Sequence, residues 1–476
     1  MERVVEVLFK DNIKEAVKTF IICLLIALGL IQAAVVWDLR SQGSAFYVLG
    51  AFLKHSYNAD YKFAQLAPDI IIPQRVVISD GEQTYQQYFD LETIKMLWKP
   101  VVKFIQIGFE SNVRFEVSDL SKWAELCQKR SVRFDFPNPV HKDIFAFCIP
   151  SYNESRQQIF PDAYYKILVV LPAEGIRSIF ASIYFNTGKQ LFKMDVNSNI
   201  SEFIKILSRI KPDYVRYSMI KDFDPQGKSF VNFEPDVLSV MIPPKHKNFK
   251  GLEMHLPKAF ENPGKLKQAL LGYDKGSFEH SEDSKGVITF KNIDNIYKIY
   301  PDGFIYYKDI SDVKSDKESM NESLDNSAAF IKRINDIFER SEVLYISDIT
   351  KDKNGEFVIS LDYTTDTIPV VFDINKDIHD GKPLKHAITL RANSRKVTEV
   401  RGYLINFAYT RHERNFNILF EDILNFNGIN FSSLDVSSMH AAYVIQEDAI
   451  IKNSSAIWPS WLINGKNEGV KLLKLP

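Results

Sequence analysis

Side-chain catalysis needs a nucleophile, a base within reach and a group that orients the base, and a metal needs ligands grouped at characteristic spacing. The nine histidines stand at 55, 141, 246, 255, 280, 379, 386, 412 and 440. None forms a His-x-x-x-His or His-x-Glu-x-x-His pair that would set two imidazoles on one helix face. His246 and His412-Glu413 are isolated and read as surface or core histidines. There is no Gly-x-Ser-x-Gly elbow and no Gly-x-x-x-x-Gly-Lys-Ser/Thr phosphate loop. Ser455 and Trp458 have no base nearby in sequence. The acidic stretch Asp309 to Asp316 lacks the central Gly and closing Glu of a calcium-binding loop, so it reads as a solvated polar loop. These residues predict no catalytic, metal or cofactor site, and they point to a binding or regulatory protein rather than an enzyme. An envelope hydrolase would need a convergent site that no local motif announces.

The most pronounced chemical feature is apolar. Thr19 to Trp37 reads TFIICLLIALGLIQAAVVW, 19 residues without a charge. At about 1.5 Å per residue this nearly crosses a hydrocarbon core of roughly 30 Å. A cleaved signal peptide is the rival reading, with Ala33-Ala34 as its small-residue site. The length of the run and the interfacial Trp37 favour an uncleaved anchor. Arg3, Lys10, Lys14 and Lys18 precede the run, and only Arg40 and Lys54 follow it before residue 60. The bias places the N-terminus in the cytoplasm and the rest of the chain outside. Gly29 and Ala33 share a helix face with Gln32 beside them, a pattern that lets two helices approach closely in lipid. The same small residues are also common in spans that contact nothing. Cys23 lies in the run. Cys127 and Cys148 would lie outside, 21 positions apart. That compartment permits a bridge between them, and each also fits an apolar face as a buried thiol.

The elements beyond the span must carry whatever docking there is. Residues 38–61 form a membrane-proximal segment, with an apolar run between Ala45 and Tyr57. Ile70 to Ser79 reads as a strand ending at the turn Asp80-Gly81. Leu91 to Phe109 has helical apolar spacing, with Pro100 expected to kink or split it. Val113 to Val117 and Val132 to Phe136 alternate like half-buried strands, the second stopping at Pro137. Between them a short helix starts, with Ser121 as its candidate cap. Tyr164 to Leu171 and Ile179 to Phe185 are apolar strands, and Asn186-Thr187-Gly188-Lys189 is a hairpin turn into Gln190 to Val196. Ile200 to Ile210 reads as an amphipathic helix and Leu238 to Ile242 as a strand. A polar linker is expected at 272–286.

Two strands around Pro301-Asp302-Gly303 follow, then a polar tract at 311–327 and a helical stripe from Phe330 to Phe338. Strands are expected at Val343 to Ile349, Glu356 to Tyr363, Ile368 to Phe372, His386 to Arg391 and Val397 to Ala408. A helix from Phe416 to Leu424 and a strand at Ala441 to Ile445 close the chain. Helix, Tyr345 to Asp348 and Phe357 to Ile359 recur in order as helix, Leu434 to Ser437 and Tyr443 to Ile445, which suggests a repeat of the last two units.

The expected fold is therefore α+β: a single N-terminal transmembrane helix followed by β-rich mixed extracytoplasmic domains. The divisions are a tail at 1–18, the span at 19–37, an α/β domain at 62–280, a middle domain at 287–408 and a C-terminal domain at 409–476. Composition agrees. Of 476 residues 45% are hydrophobic and 25% charged, which excludes a disordered chain and a polytopic membrane protein. With 59 basic against 60 acidic residues there is no positive field for nucleic acid. The 35 Phe and 21 Tyr suit β-rich packing.

Four stretches, taken in order, resemble the YycH/YycI (WalH/WalI) family, and length favours the YycH side. They are Gln74-Arg75-Val76-Val77-Ile78-Ser79-Asp80-Gly81, Ser131-Val132-Arg133-Phe134-Asp135-Phe136-Pro137, Tyr165 to Val196, and Ala456-Ile457-Trp458-Pro459-Ser460-Trp461. The resemblance implies a short cytoplasmic tail, one span and several outer β-rich domains. It also implies a non-enzymatic role: modulation of the membrane sensor histidine kinase of a two-component system, partly through helix contacts in the membrane. Gly29, Gln32 and Ala33 would be the contact face, Trp37 the interfacial anchor, and a paralogous YycI-like regulator a second partner. The chain departs from that plan in the longer, more apolar segment 38–68 and in the tract 311–327. The alternative is an anchored envelope scaffold or substrate-capture protein with no kinase link.

Overall fold

The computed structural model describes residues 62–149, 161–219, 232–262, 278–415 and 435–473, with short breaks inside these spans. The expected span 19–37, the segment 38–61 and the helix from Phe416 lie outside the described residues. Among the described residues no helix is long and apolar enough to cross a membrane. What is described is a strand-rich α+β structure.

The first elements are α1 (Phe63–Ile70), β1 (Arg75–Ser79), β2 (Tyr85–Tyr88), α2 (Leu91–Glu110), β3 (Glu116–Ser118), α3 (Trp123–Gln128), β4 (Ser131–His141) and α4 (Lys142–Ala146). They continue as β5 (Ala163–Val170), β6 (Ala181–Asn186), β7 (Leu191–Val196), α5 (Ser201–Arg209), β8 (Arg216–Met219), β9 (Asn232–Phe233) and β10 (Leu238–Ile242). All these strands except β9 form one antiparallel nine-stranded sheet in the order β10-β8-β2-β1-β4-β5-β6-β7-β3. Asp90 caps α2 by accepting from the Thr93 amide at 2.8 Å, and Ile94, Leu97, Trp98, Val101 and Ile105 bury its stripe. Pro100 does not split α2, which runs unbroken through it.

The local signals fail in identifiable ways. Residues 63–70 are helical, so the strand expected from Ile70 begins only at Arg75. The strand expected at Val113 shrinks to the edge strand β3. Ahead of α3 a 3-10 turn, Leu120–Lys122, is capped by Asp119, whose carboxylate accepts from the Ser121 amide at 2.9 Å; Ser121 is not the cap. β4 does not stop at Pro137. It passes through a bulge between Asp135 and Val140, which takes the proline out of the ladder.

The later elements are β11 (Asn248–His255), β12 (Glu279–Glu282), β13 (Ile288–Lys291), β14 (Asn295–Ile299), β15 (Phe304–Asp309), α6 (Met320–Asn335), β16 (Leu344–Lys351) and β17 (Phe357–Tyr363). Then come β18 (Val370–Phe372), β19 (Ile388–Ala392), β20 (Val397–Tyr403), β21 (Asn406–Asn415), β22 (Asp435–Ile445), α7 (Glu447–Lys452), β23 (Pro459–Gly465) and β24 (Gly469–Leu473). An antiparallel eight-stranded sheet runs β12-β13-β14-β15-β20-β19-β17-β16. A five-stranded sheet runs β18-β22-β23-β24, with β9 also on β22, and β11 pairs with β21. Strands far apart in sequence are thus interleaved: β9 and β18 each run parallel to β22.

The stretch 272–286 supplies the edge strand β12 instead of serving only as a linker. Part of the polar tract 311–327 is helical, because α6 starts at Met320. Ser323 and Ser327 are fully buried there, with their hydroxyls donating to the carbonyls of Ser319 and Ser323, both at 2.7 Å. The expected repeat is absent from the described strands. β16 and β17 are an antiparallel pair, whereas residues 435–445 form the single strand β22. Similar order did not bring similar pairing.

Gly402 in β20 lies against β19. A Cβ there would stand 2.2 Å from the Ala387 carbonyl oxygen, so only glycine fits. Gly402→Ala is expected to lower unfolding free energy by roughly 2–3 kcal/mol, read from the urea midpoint of the purified protein.

Candidate functional site

β1, β4 and β5 lie side by side in the middle of the nine-stranded sheet. Along β4, Val132 and Phe134 turn to the face covered by α2, where the Trp98 and Phe134 rings lie 5.3 Å apart. Arg133 and Asp135 turn to the other face. The alternation alone suggests that this face meets water. Instead, Arg133 is 2% and Asp135 7% exposed. Register explains how the charges survive there: Asp135 is paired across the ladders with Arg75 on β1 and Lys166 on β5.

The result is a buried ion network. Arg75 donates to Asp135 Oδ2 from Nε at 2.9 Å and from Nη2 at 2.5 Å, and from Nη1 to Gln87 Oε1 at 3.2 Å. Arg133 Nε lies 2.9 Å from Asp135 Oδ1. Asp236, just ahead of β10, is the second anion. Its Oδ2 accepts from Trp123 Nε1 at 2.8 Å, Lys166 Nζ at 2.7 Å and Arg133 Nη1 at 3.2 Å. Burial alone would push both carboxyls up. For Asp236 the charges of Lys166 and Arg133, and for Asp135 those of Arg133 and Arg75, outweigh burial and hold each below the usual carboxylate range.

Two neighbours are inert. Burial pushes the Cys127 thiol, beside Arg133, up to about 12. Burial, aided by the charge on Arg75, brings His440 of β22 down to about 3, so its imidazole stays neutral. Cys148 is also raised to about 12 by burial. Both Cys127 and Cys148 are buried free thiols, and no bridge joins them. A network of mutually paired charges holds the strands in register, with Arg133 Nε and Asp135 Oδ1 held together by ion pairing rather than by a hydrogen bond.

A second cluster joins the nine- and eight-stranded sheets. The Phe63 amide at the start of α1 donates to Asp325 Oδ1 of α6 at 2.8 Å. Gln74 Nε2 donates to Tyr345 Oη at 3.2 Å, and Asn138 Nδ2 to the Ser347 carbonyl at 2.6 Å. Behind Ser347 stand His386 and Asp362, 2.9 Å apart. Two of the scattered histidines thus have carboxylate partners remote in sequence, since His379 Nε2 also lies 2.7 Å from Asp302. From the acidic stretch, Asp309 pairs with Lys396 at 2.7 Å. Among the described residues no group of three or more His, Cys, Asp or Glu is placed to hold a metal ion.

Gly29, Gln32, Ala33 and Trp37 lie outside the described residues. What sequence reasoning missed is the ion network. Its signal was charged residues inside strands of otherwise core character, in Gln74-Arg75-Val76-Val77 and Val132-Arg133-Phe134-Asp135-Phe136.

The described residues thus form a multi-sheet α+β structure. The crystal structure of YycH from Bacillus subtilis is similar to it, with a TM-score of 0.56, over 86% of this chain and 97% of that one, at 13% identity. The chain therefore has a YycH-like fold, as the sequence resemblance implied. No protein-family model and no curated protein sequence matches the chain.

Replacing Asp236 with Ala leaves Arg133 and Lys166 facing each other in the core, and is expected to cost about 3–5 kcal/mol in urea unfolding. Asp162, whose side chain is 83% exposed in its pair with Lys142, serves as the control: Asp162→Ala should change stability by less than about 1 kcal/mol.

Proposed function

We propose that this chain is a membrane-anchored extracytoplasmic regulator that modulates a two-component sensor histidine kinase through transmembrane and outer-domain contacts. The observation that carries this reading is the YycH-like fold, which spans nearly the whole of YycH itself. The uncharged run 19–37 supplies the anchor, with 1–18 in the cytoplasm and the sheets outside. Gly29, Gln32 and Ala33 form the contact face and Trp37 the interfacial anchor. The outer part is read as 62–280, 287–408 and 409–476, with β21 crossing the last boundary and β9, β11 and β18 pairing across them. A YycI-like regulator is the second partner, and nucleic acid is not one.

Energetically the demand is small. One close helix contact in lipid is worth on the order of 1 kcal/mol, enough to change a two-state ratio several-fold if it favours one state. The link into the outer domains is short. α1 begins at Phe63, soon after the membrane-proximal segment, and its first amide is held by Asp325.

Gly29→Ile combined with Ala33→Ile is expected to cut co-purification with the kinase several-fold and to shift output of the kinase's target promoters. Undiminished co-purification with unchanged output would reject this contact face. A chain that reaches the membrane and recovers no kinase at all would favour the scaffold or capture reading.

A further inference from the structure

Two bulges face each other where the sheets meet. In β4 the ladder slips between Asp135 and Val140, and Asn138 sits in the slip. In β16 it slips between Ile346 and Asp348, and Ser347 sits there. The bulges let the Asn138 amide reach the Ser347 carbonyl at 2.6 Å. Ser347 is in turn gripped from behind. Its hydroxyl donates to the Ser360 carbonyl at 3.2 Å and lies 3.1 Å from His386 Nδ1. The same Nδ1 is 2.9 Å from Asp362 Oδ2, and Asp362 Oδ1 accepts from the Ala387 amide at 2.8 Å.

The Ser347 proton is committed to Ser360 and the Asp362 carboxylate only accepts. Nδ1 must therefore carry hydrogen in either charge state, and the proton that comes and goes is on Nε2. The His386 side chain is 27% exposed, so water reaches it.

We propose that His386 is a proton-controlled latch on the junction between the two sheets: charged, it pairs with Asp362 and Asp348 and braces the β16 bulge against Asn138, and neutral, it keeps its Nδ1 contacts but loses that charge pairing, so the bulge is held less firmly. The latch concerns the outer domains alone and stands whether or not the partner is a kinase. The groups facing the imidazole are Asp362 on β17 and Asp348 and the Tyr345 phenol on β16. Lys385, next in the chain, is turned away to Asp373 and Asn375. On the β4 side Asn138 is neutral, and His141 is paired with Asp143. A charged His386 thus sits with two carboxylates, and a neutral one leaves those carboxylates uncompensated beside the bulge.

The direction follows from linkage. Burial lowers the His386 pKa, but the hydrogen bond and charge of Asp362, with Asp348 adding, raise it above the ordinary value near 6.5. Stability from this group is fully present below that ordinary value and is lost as pH rises through the raised one. Asp348 acts with the same sign, since burial raises its carboxyl despite His386 nearby. The junction tightens in mild acid and loosens in mild base.

The test is amide hydrogen exchange on the full chain in lipid nanodiscs, from about pH 5.5 to 8.5, corrected for intrinsic exchange. Peptides covering 131–141 and 344–351 should be several-fold more protected at the acid end. His386→Gln should remove that dependence. Asp362→Asn, which takes away the stronger carboxylate partner, should move the transition to lower pH. A flat wild-type profile, or an unchanged transition in either folded variant, overturns the latch.

Discussion

Everything around the nine-stranded sheet depends on the charge balance at Asp236 and Asp135. Two carboxylates out of water would be intolerable alone, and so would Arg75 and Arg133. Together with Lys166 they balance one another's charge, but only if β1, β4 and β5 hold one register and α3 delivers the Trp123 indole to Asp236. A slip of one residue would turn Arg133 and Asp135 into the apolar layer under α2 and bring Val132 and Phe134 onto the ionic face. Apolar packing tolerates approximate solutions; this cluster tolerates one. The neutral His440 of β22 lies within the field of Arg75, so the last sheet is built against the same centre.

What could be read from sequence was what neighbours decide. The hairpin from Asn186 to Leu191 was legible because its turn chemistry is local, with Gly188 at φ 78° and the Asn186 side chain accepting from its amide. α2 was legible from its stripe, and Pro100 misled only about continuity. The charge network was not legible, because Arg75 and Asp236 lie 60 and 103 positions from their partners on β4. With those partners out of view, Arg133 and Asp135 pass for the wet side of a strand. The apparent repeat failed for a related reason: element order is visible along the chain, and ladder partners are not. The span residues Gly29, Gln32, Ala33 and Trp37 are legible only as composition and spacing, which is where the reading of their role still rests.

The same remoteness shapes the junction. Asn138 and Ser347 meet because each strand carries an irregularity at the right place; Pro137 and Pro139 mark the first, and the second has no sequence signature of its own. A carboxylate–imidazole pair behind such a contact is a modest arrangement, made of ordinary residues. It acquires meaning from position, at the seam between the nine-stranded and the eight-stranded sheet.

The bond from Phe63 to Asp325 spans 262 positions, and β9, β11 and β18 wait for β21 and β22. A chain made from its N-terminus therefore presents α1 and the strands β9, β11 and β18 before their partners emerge. Unlike beads on a string, its parts cannot mature one after another. Final assembly waits for β21 and β22, and until then the unpaired edges need shielding from other chains.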